Sequence, residues 1–152
     1  MISLALQMQS VLGMNPLAIE LQERTRRFAT AVIKFCERLP GDPATRQIVE
    51  QLLDSSGSTD SNYRATCRAR SPDEFIAKIG VAAEEADESK GWLQLLVDSN
   101  LARIEDARDL IQESHELTAI FVASRKTAKR RKEERERLQK QLRESNRRRP
   151  SR

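Results

Sequence analysis

Aromatic residues are scarce in this chain, with one tryptophan, one tyrosine and four phenylalanines among 152 residues. Five glycines and five prolines supply too little turn chemistry for the many short strands of an all-β fold. One histidine, His115, and two cysteines, Cys36 and Cys67, with no CxxC spacing, suggest neither a zinc site nor a disulfide framework. Long apolar runs are missing too. Residues 1–14 are mildly apolar, but Gln7, Gln9 and Ser10 interrupt them and no basic segment leads them, so they do not read as a signal peptide. No stretch approaches the roughly 20 apolar residues of a membrane helix. These absences lead us to expect a cytoplasmic protein with buried, reduced thiols and no membrane contact.

The residues that dominate instead, Ala, Leu, Glu, Lys, Arg and Gln, are good helix formers. With 38% hydrophobic and 33% charged residues the chain can build one core of ordinary size. An all-α fold follows. The net charge of +4 is unevenly distributed: residues 1–120 hold 13 Lys/Arg against 19 Asp/Glu, and residues 121–152 hold 14 against 4. An acidic body carrying a basic arm points to a polyanionic partner.

Asn15-Pro16 reads as an N-cap followed by the first helical position. Leu17, Leu21, Phe28, Val32, Phe35 and Leu39 then recur at helical spacing, predicting a helix over 16–38 that Pro40-Gly41-Asp42-Pro43 stops. A second helical pattern over 44–69 carries Ile48, Leu52 and Tyr63, but Ser55-Ser56-Gly57-Ser58-Thr59 in its middle resembles a linker. Propensity alone breaks the helix there; the alternative is a continuous helix whose small side chains permit close approach of a neighbour. Ser71-Pro72-Asp73-Glu74 is a capping box that opens a third helix. Phe75, Ile79, Ala82, Ala86, Leu93 and Leu96 stripe that helix to about Asn100, and the Trp92 indole beside the stripe needs a hydrogen-bond acceptor. A fourth helix opens near Ala102 with Ile104, Ala107, Leu110, Ile111, Leu117, Ile120 and Phe121. Beyond Ala128 only Leu138 and Leu142 remain apolar, while Glu133 with Arg137, Glu136 with Lys140 and Glu144 with Arg148 have the i,i+4 spacing of helical ion pairs. A helix that frays and is disordered by Arg147-Arg148-Arg149-Pro150 is expected. The organisation is thus an N-terminal extension over 1–14, a four-helix unit over 15–129 and a basic tail over 130–152.

Several linked motifs carry a resemblance. Leu21-Gln22-Glu23-Arg24-Thr25, Ser61-Asn62-Tyr63-Arg64-Ala65, Cys67-Arg68-Ala69-Arg70-Ser71, Glu74-Phe75-Ile76-Ala77-Lys78, Glu84-Glu85-Ala86-Asp87-Glu88-Ser89, Trp92-Leu93 and Glu116-Leu117 stand in the order and spacing of a bacterial four-helix bundle family. Over roughly 17–129 the chain resembles the rRNA intervening-sequence, or S23, protein family. The resemblance implies an up-and-down four-helix bundle with a continuous second helix, assembled as a homo-oligomer, typically a homopentamer. Some members are encoded within intervening sequences of large-subunit rRNA genes. Related accessory proteins of diversity-generating retroelements form basic pentameric barrels that bind nucleic acid and a reverse transcriptase. Ala65 and Thr66 stand where many relatives carry glutamate and glycine, and the tail beyond about Arg130 is an addition to the shared core. A role for the tail therefore rests on its own charge.

The candidate nucleic-acid contacts are Arg125, Lys126, Lys129, Arg130, Arg131, Lys132, Arg135, Arg137, Lys140 and Arg143, with Arg147, Arg148, Arg149 and Arg152 beyond them. Lys and Arg neutralise phosphates without reading sequence, which suits RNA or DNA equally. No aromatic residue interleaves them, which disfavours base stacking. Glu84, Glu85, Asp87 and Glu88 could suggest a metal site, but di-metal bundles need Glu-x-x-His, and His115 follows Glu113 by two positions. With a turn near Arg70, Glu85 should lie opposite residues 56–58 and bond to serines there. Asn62, Tyr63, Arg64, Glu85 and Glu88 are accordingly expected to form a structural polar network. The thiols have no activating neighbour, so nucleophilic catalysis is not expected. The expectation is a non-enzymatic, cofactor-free protein that binds RNA or DNA, or acts as a scaffold, through its basic arm. The alternative is a protein-interaction adaptor, with a partner such as a reverse transcriptase and no nucleic-acid binding.

Overall fold

The computed structural model describes residues 15–147, which form four helices: α1, Pro16–Cys36; α2, Pro43–Cys67; α3, Pro72–Asp98; and α4, Ile104–Arg147. The first three begin alike, with a capping side chain and proline at the first helical position. The Asn15 side chain accepts from the Leu17 N–H at 3.0 Å, and Asp42 accepts from Ala44 and Thr45 N–H groups, each at 3.1 Å. Ser71 accepts from the Glu74 N–H at 3.1 Å, and the Glu74 carboxylate reaches back to the Arg70 N–H at 2.9 Å. Those bonds satisfy amide donors that the helix itself leaves free.

The end of α3 is set differently. Asn100 adopts a positive φ of 57°, and the Leu101 N–H bonds to the Leu96 carbonyl at 2.9 Å while the Asn100 N–H bonds to Val97 at 3.0 Å. This is the paired arrangement of a helix terminated by a left-handed residue, with asparagine where glycine is commoner. Leu101 folds back onto the core and turns the chain into α4.

Each helix packs on its sequence neighbour, and α4 returns to touch α1, giving the up-and-down bundle; the backbones of diagonal helices stay apart, and only side chains meet across the core. Phe28, Val32 and Phe35 of α1, Leu52 and Tyr63 of α2, Ile79, Leu93 and Leu96 of α3, and Leu117 and Phe121 of α4 fill one core. The Tyr63 and Phe121 rings stack within it, their centroids 5.2 Å apart. α2 runs unbroken through residues 55–59, as the family resemblance implies and against local propensity. The hydroxyls explain the difference. Thr59 donates to the Ser55 carbonyl at 2.9 Å, Ser55 and Ser56 bond to carbonyls three residues back, and the buried Ser55 and Ser89 hydroxyls lie 2.9 Å apart across the α2–α3 contact. Polar side chains that would favour a turn in isolation are thus satisfied inside the helix.

Two residues expected on apolar faces are exposed instead, Leu17 and Ile104, the latter 43% exposed at the start of α4. Leu17 is 71% exposed because it sits in the first turn of α1, where α4 does not close over it. α4 is helical through Arg147, in keeping with the helix-compatible tail that the sequence shows. Residues 1–14 and Arg148, Arg149, Pro150 and Arg152 lie outside the described residues.

The bundle is not equally tight around its girth. α3 lies closely on α2 and on α4, whereas the α1–α4 seam is loose and opens into a string of cavities. One, of about 790 Å³, is lined by Leu17, Leu21, Tyr63, Phe75 and Ile120 among others. One cluster bridges the seam: Arg24 donates to both Glu113 oxygens at 2.6 and 2.8 Å and also to Glu116.

Candidate nucleic-acid interface

α4 has 44 residues and is therefore about 66 Å long, against about 40 Å for the 27 residues of α3. Its final anchorage on the bundle is Lys132, which pairs with Asp73 at the start of α3 and lies 3.6 Å from Glu136. From residue 133 to 147 every side chain is exposed. The helix stands roughly 22 Å clear of the bundle over that stretch at 1.5 Å per residue.

Charge is concentrated where the helix leaves. Six of the eight residues over 125–132 are Lys or Arg and none is acidic. Lys126, Lys129, Arg130, Arg131, Arg135, Arg137, Lys140 and Arg143 are exposed, while Arg125 and Lys132 are half-buried. Of these ten cations only Lys132 forms an ion pair among the described residues. The expected Glu133–Arg137 and Glu136–Lys140 pairs are not made, Glu136 turning instead to Lys132; Glu144–Arg148 lies outside the described residues. Apart from Lys132, the ten cations are therefore unpaired, with Glu133, Glu134, Glu136 and Glu144 interleaved among those beyond residue 132.

The five residues expected to form one polar network fall into separate contacts. Asn62 donates to the Ser58 carbonyl of its own helix at 2.9 Å. Tyr63 is buried against Phe121, and burial, with Cys67 beside it, pushes its hydroxyl pKa up. Arg64 lies 3.3 Å from Asp60. Glu88 accepts the Trp92 indole N–H at 3.0 Å, which supplies the acceptor that Trp92 needs. Glu85 makes no side-chain hydrogen bond among the described residues. Desolvation, together with Glu88, Glu84 and Asp54, raises its pKa. The serine contact expected of Glu85 is made one turn later, by Ser89.

Sequence reasoning missed the polar junction that does form. Asp60, only 6% exposed, lies 3.0 Å from the Thr25 hydroxyl and accepts from Arg26 Nε at 3.0 Å, with Arg64 completing the set. The Asp60/Arg64 i,i+4 spacing was the one local signal; the α1 partners depend on tertiary register.

Among the described residues, no group of three or more His, Cys, Asp and Glu side chains is placed to hold a metal ion. Burial pushes the Cys36 thiol up to about 11, so its thiolate is scarce at neutral pH. No described helix is long and apolar enough to cross a membrane.

Fold and charge together define a four-helix bundle whose last helix carries a basic segment over 125–132 and runs on as an exposed rod of mixed charge. Within that class the chain belongs to the 23S rRNA-intervening sequence protein family, whose sequence model matches residues 18–123. A similar solved structure is a protein of unknown function from the S23 ribosomal protein family of Bacteroides thetaiotaomicron VPI-5482. It is 24% identical, with a TM-score of 0.66, over 72% of this chain and 97% of its own. That likeness concerns the fold. A search of the curated proteins found no match. The family match ends at residue 123, just before the cationic segment begins.

Proposed function

We propose that this protein is a non-enzymatic, homo-oligomeric binder of RNA or DNA that grips the phosphate backbone through α4 without reading sequence. The observation that carries the reading is the acid-free run of cations over 125–132, most of them exposed and unpaired, where α4 leaves the bundle. A surface serving stability alone gains little from such a run, because like charges on one helix repel. Phosphate contacts compensate them and release counterions. The absence of aromatic residues beyond Phe121 fits backbone contact rather than base stacking. A pentamer, as the family resemblance implies, would multiply the basic segments and add avidity. The reading also places the protein in the cytoplasm.

A second reading, an adaptor for another protein such as a reverse transcriptase, is favoured by one feature, the apolar groove along the α1–α4 seam. The two readings separate on the arm. Changing Arg130, Arg131, Arg135, Arg137, Lys140 and Arg143 together to glutamine keeps helix propensity nearly constant and leaves the bundle core untouched. The nucleic-acid reading expects this variant to lose most of its affinity for a labelled duplex at low salt. Unchanged affinity would remove the arm from the account, and absence of binding by the unaltered protein would favour the adaptor.

A further inference from the structure

Arg125 is the one cation of the basic segment that the bundle holds in place without an acid. Gly80, buried in α3, faces it: a Cβ on Gly80 would lie 3.0 Å from Arg125 Cζ and Nε and 3.3 Å from Nη2. The guanidinium therefore lies against the α3 backbone in a slot that exists because residue 80 has no side chain. Its Nε is buried with no hydrogen-bond partner, and no carboxylate pairs with the group among the described residues. Other cations that tie helices together do so through acids, as Arg24 does with Glu113, Arg26 with Asp60 and Lys132 with Asp73. Partial desolvation of a guanidinium with no anion beside it is unfavourable. A structural role gives that arrangement no offset.

We propose that Arg125 is a preset phosphodiester contact, and that it fixes which face of α4 follows a nucleic-acid backbone. This deepens the nucleic-acid reading and rests on it. Arg125 is half-buried and its guanidinium is held in one orientation on Gly80, and a fork already oriented loses less freedom on meeting a phosphate than a free lysine does. At about 100° per residue, Lys129, Lys140, Arg143 and Arg147 fall within roughly 60° of Arg125 around the helix axis, over about 33 Å; Lys132 shares that side of the helix but is paired with Asp73. Lys126, Arg130 and Arg137 lie about 100–140° away on the same count, on a different face.

The test uses the full chain, a labelled RNA duplex and a labelled DNA duplex of about one to two turns, and a salt series. Arg125→Gln is expected to weaken binding about tenfold, as for loss of a charged hydrogen bond, and to shallow the salt dependence by about one unit of slope. Lys126→Gln, one residue away but off the face, should stay within about twofold of the unaltered protein. Gly80→Ala removes no charge yet fills the slot, so it should weaken binding while leaving Lys126→Gln behaviour unchanged in combination. Thermal melts of Arg125→Gln and Gly80→Ala check that each is folded. Arg125→Lys, which retains charge and loses the fork, serves if glutamine does not fold and should recover the slope without the full affinity. Equal losses for Arg125→Gln and Lys126→Gln, or a Gly80→Ala variant indistinguishable from the unaltered protein, overturn the preset contact while leaving general binding by the arm intact. If the unaltered protein binds neither duplex, the broader reading falls and this contact with it.

Discussion

Asp60 offers the sharpest test of how the bundle is held together. Replacing it with alanine removes the acceptor of the buried Thr25 hydroxyl, the Arg26 hydrogen bond and the Arg64 ion pair. Thr25 retains the Gln22 carbonyl at 2.9 Å, so its loss is limited to about 1 kcal/mol. The Arg26 and Arg64 side chains are 59% and 40% exposed and can turn to water. Their shares therefore fall in the surface range, about 0.2–1 kcal/mol each, well below the 3–5 kcal/mol for stranding a fully buried charge. The sum is about 2 kcal/mol, or roughly 4–8 °C in Tm at this chain length. Asp60→Asn keeps an acceptor for Thr25 and should forfeit only about 1 kcal/mol, with a smaller salt dependence than the parent. Urea unfolding at fixed protein concentration measures both, the fixed concentration guarding against changes in assembly. If Asp60→Ala lies within about 0.5 kcal/mol of the parent, or Asp60→Asn is as damaging as alanine, the junction does not hold α1 to α2 in the way described.

Other expectations follow from the same geometry. Leu93→Ala should destabilise by about 2–5 kcal/mol in urea unfolding, since Leu93 is fully buried in the core. Glu85 has a raised pKa in the folded state, so its contribution is favourable below the unfolded value near 4.3 and is lost as pH rises through the folded value. Glu85→Gln should consequently stabilise at pH 7, with the gain disappearing below about pH 4, as followed by melting temperature across pH. Glu116 has the opposite sign. Hydrogen bonds from Gln112 and Arg24 hold its pKa down, so its contribution is present at neutral pH and falls away on acidification through that lowered value. Hydrogen exchange should show α1 amides opening before α3 amides as pH falls, and equal protection of both would contradict the loose seam.

How much of this was legible beforehand depends on the range of the interactions. Asn15-Pro16 and Ser71-Pro72 mark helix starts because capping is decided within four residues, and both starts lie at those dipeptides; Asp42-Pro43, read only as the stop of α1, also caps α2. The left-handed Asn100 was not foreseen, since asparagine is compatible with several turn and cap conformations and the contact of Leu101 with the core belongs to the tertiary fold. The serine run in α2 reads as a linker because the partner that favours helix, Ser89, is on another element. Asp60 and Gly80 were missed for the same reason: their partners Arg26 and Arg125 lie 34 and 45 positions away. The candidate cations were identifiable from composition alone. That α4 would continue as an exposed helix beyond Lys132, and that Arg125 would be docked while its neighbours are free, required the structure.

The most direct test of the central claim is the salt dependence of full-length protein binding to RNA and DNA duplexes of equal length. The account predicts that affinity falls steeply with salt, with a slope set by several neutralised phosphates, and that RNA and DNA of unrelated sequence bind alike. A flat slope, or no association even at low salt, would contradict it.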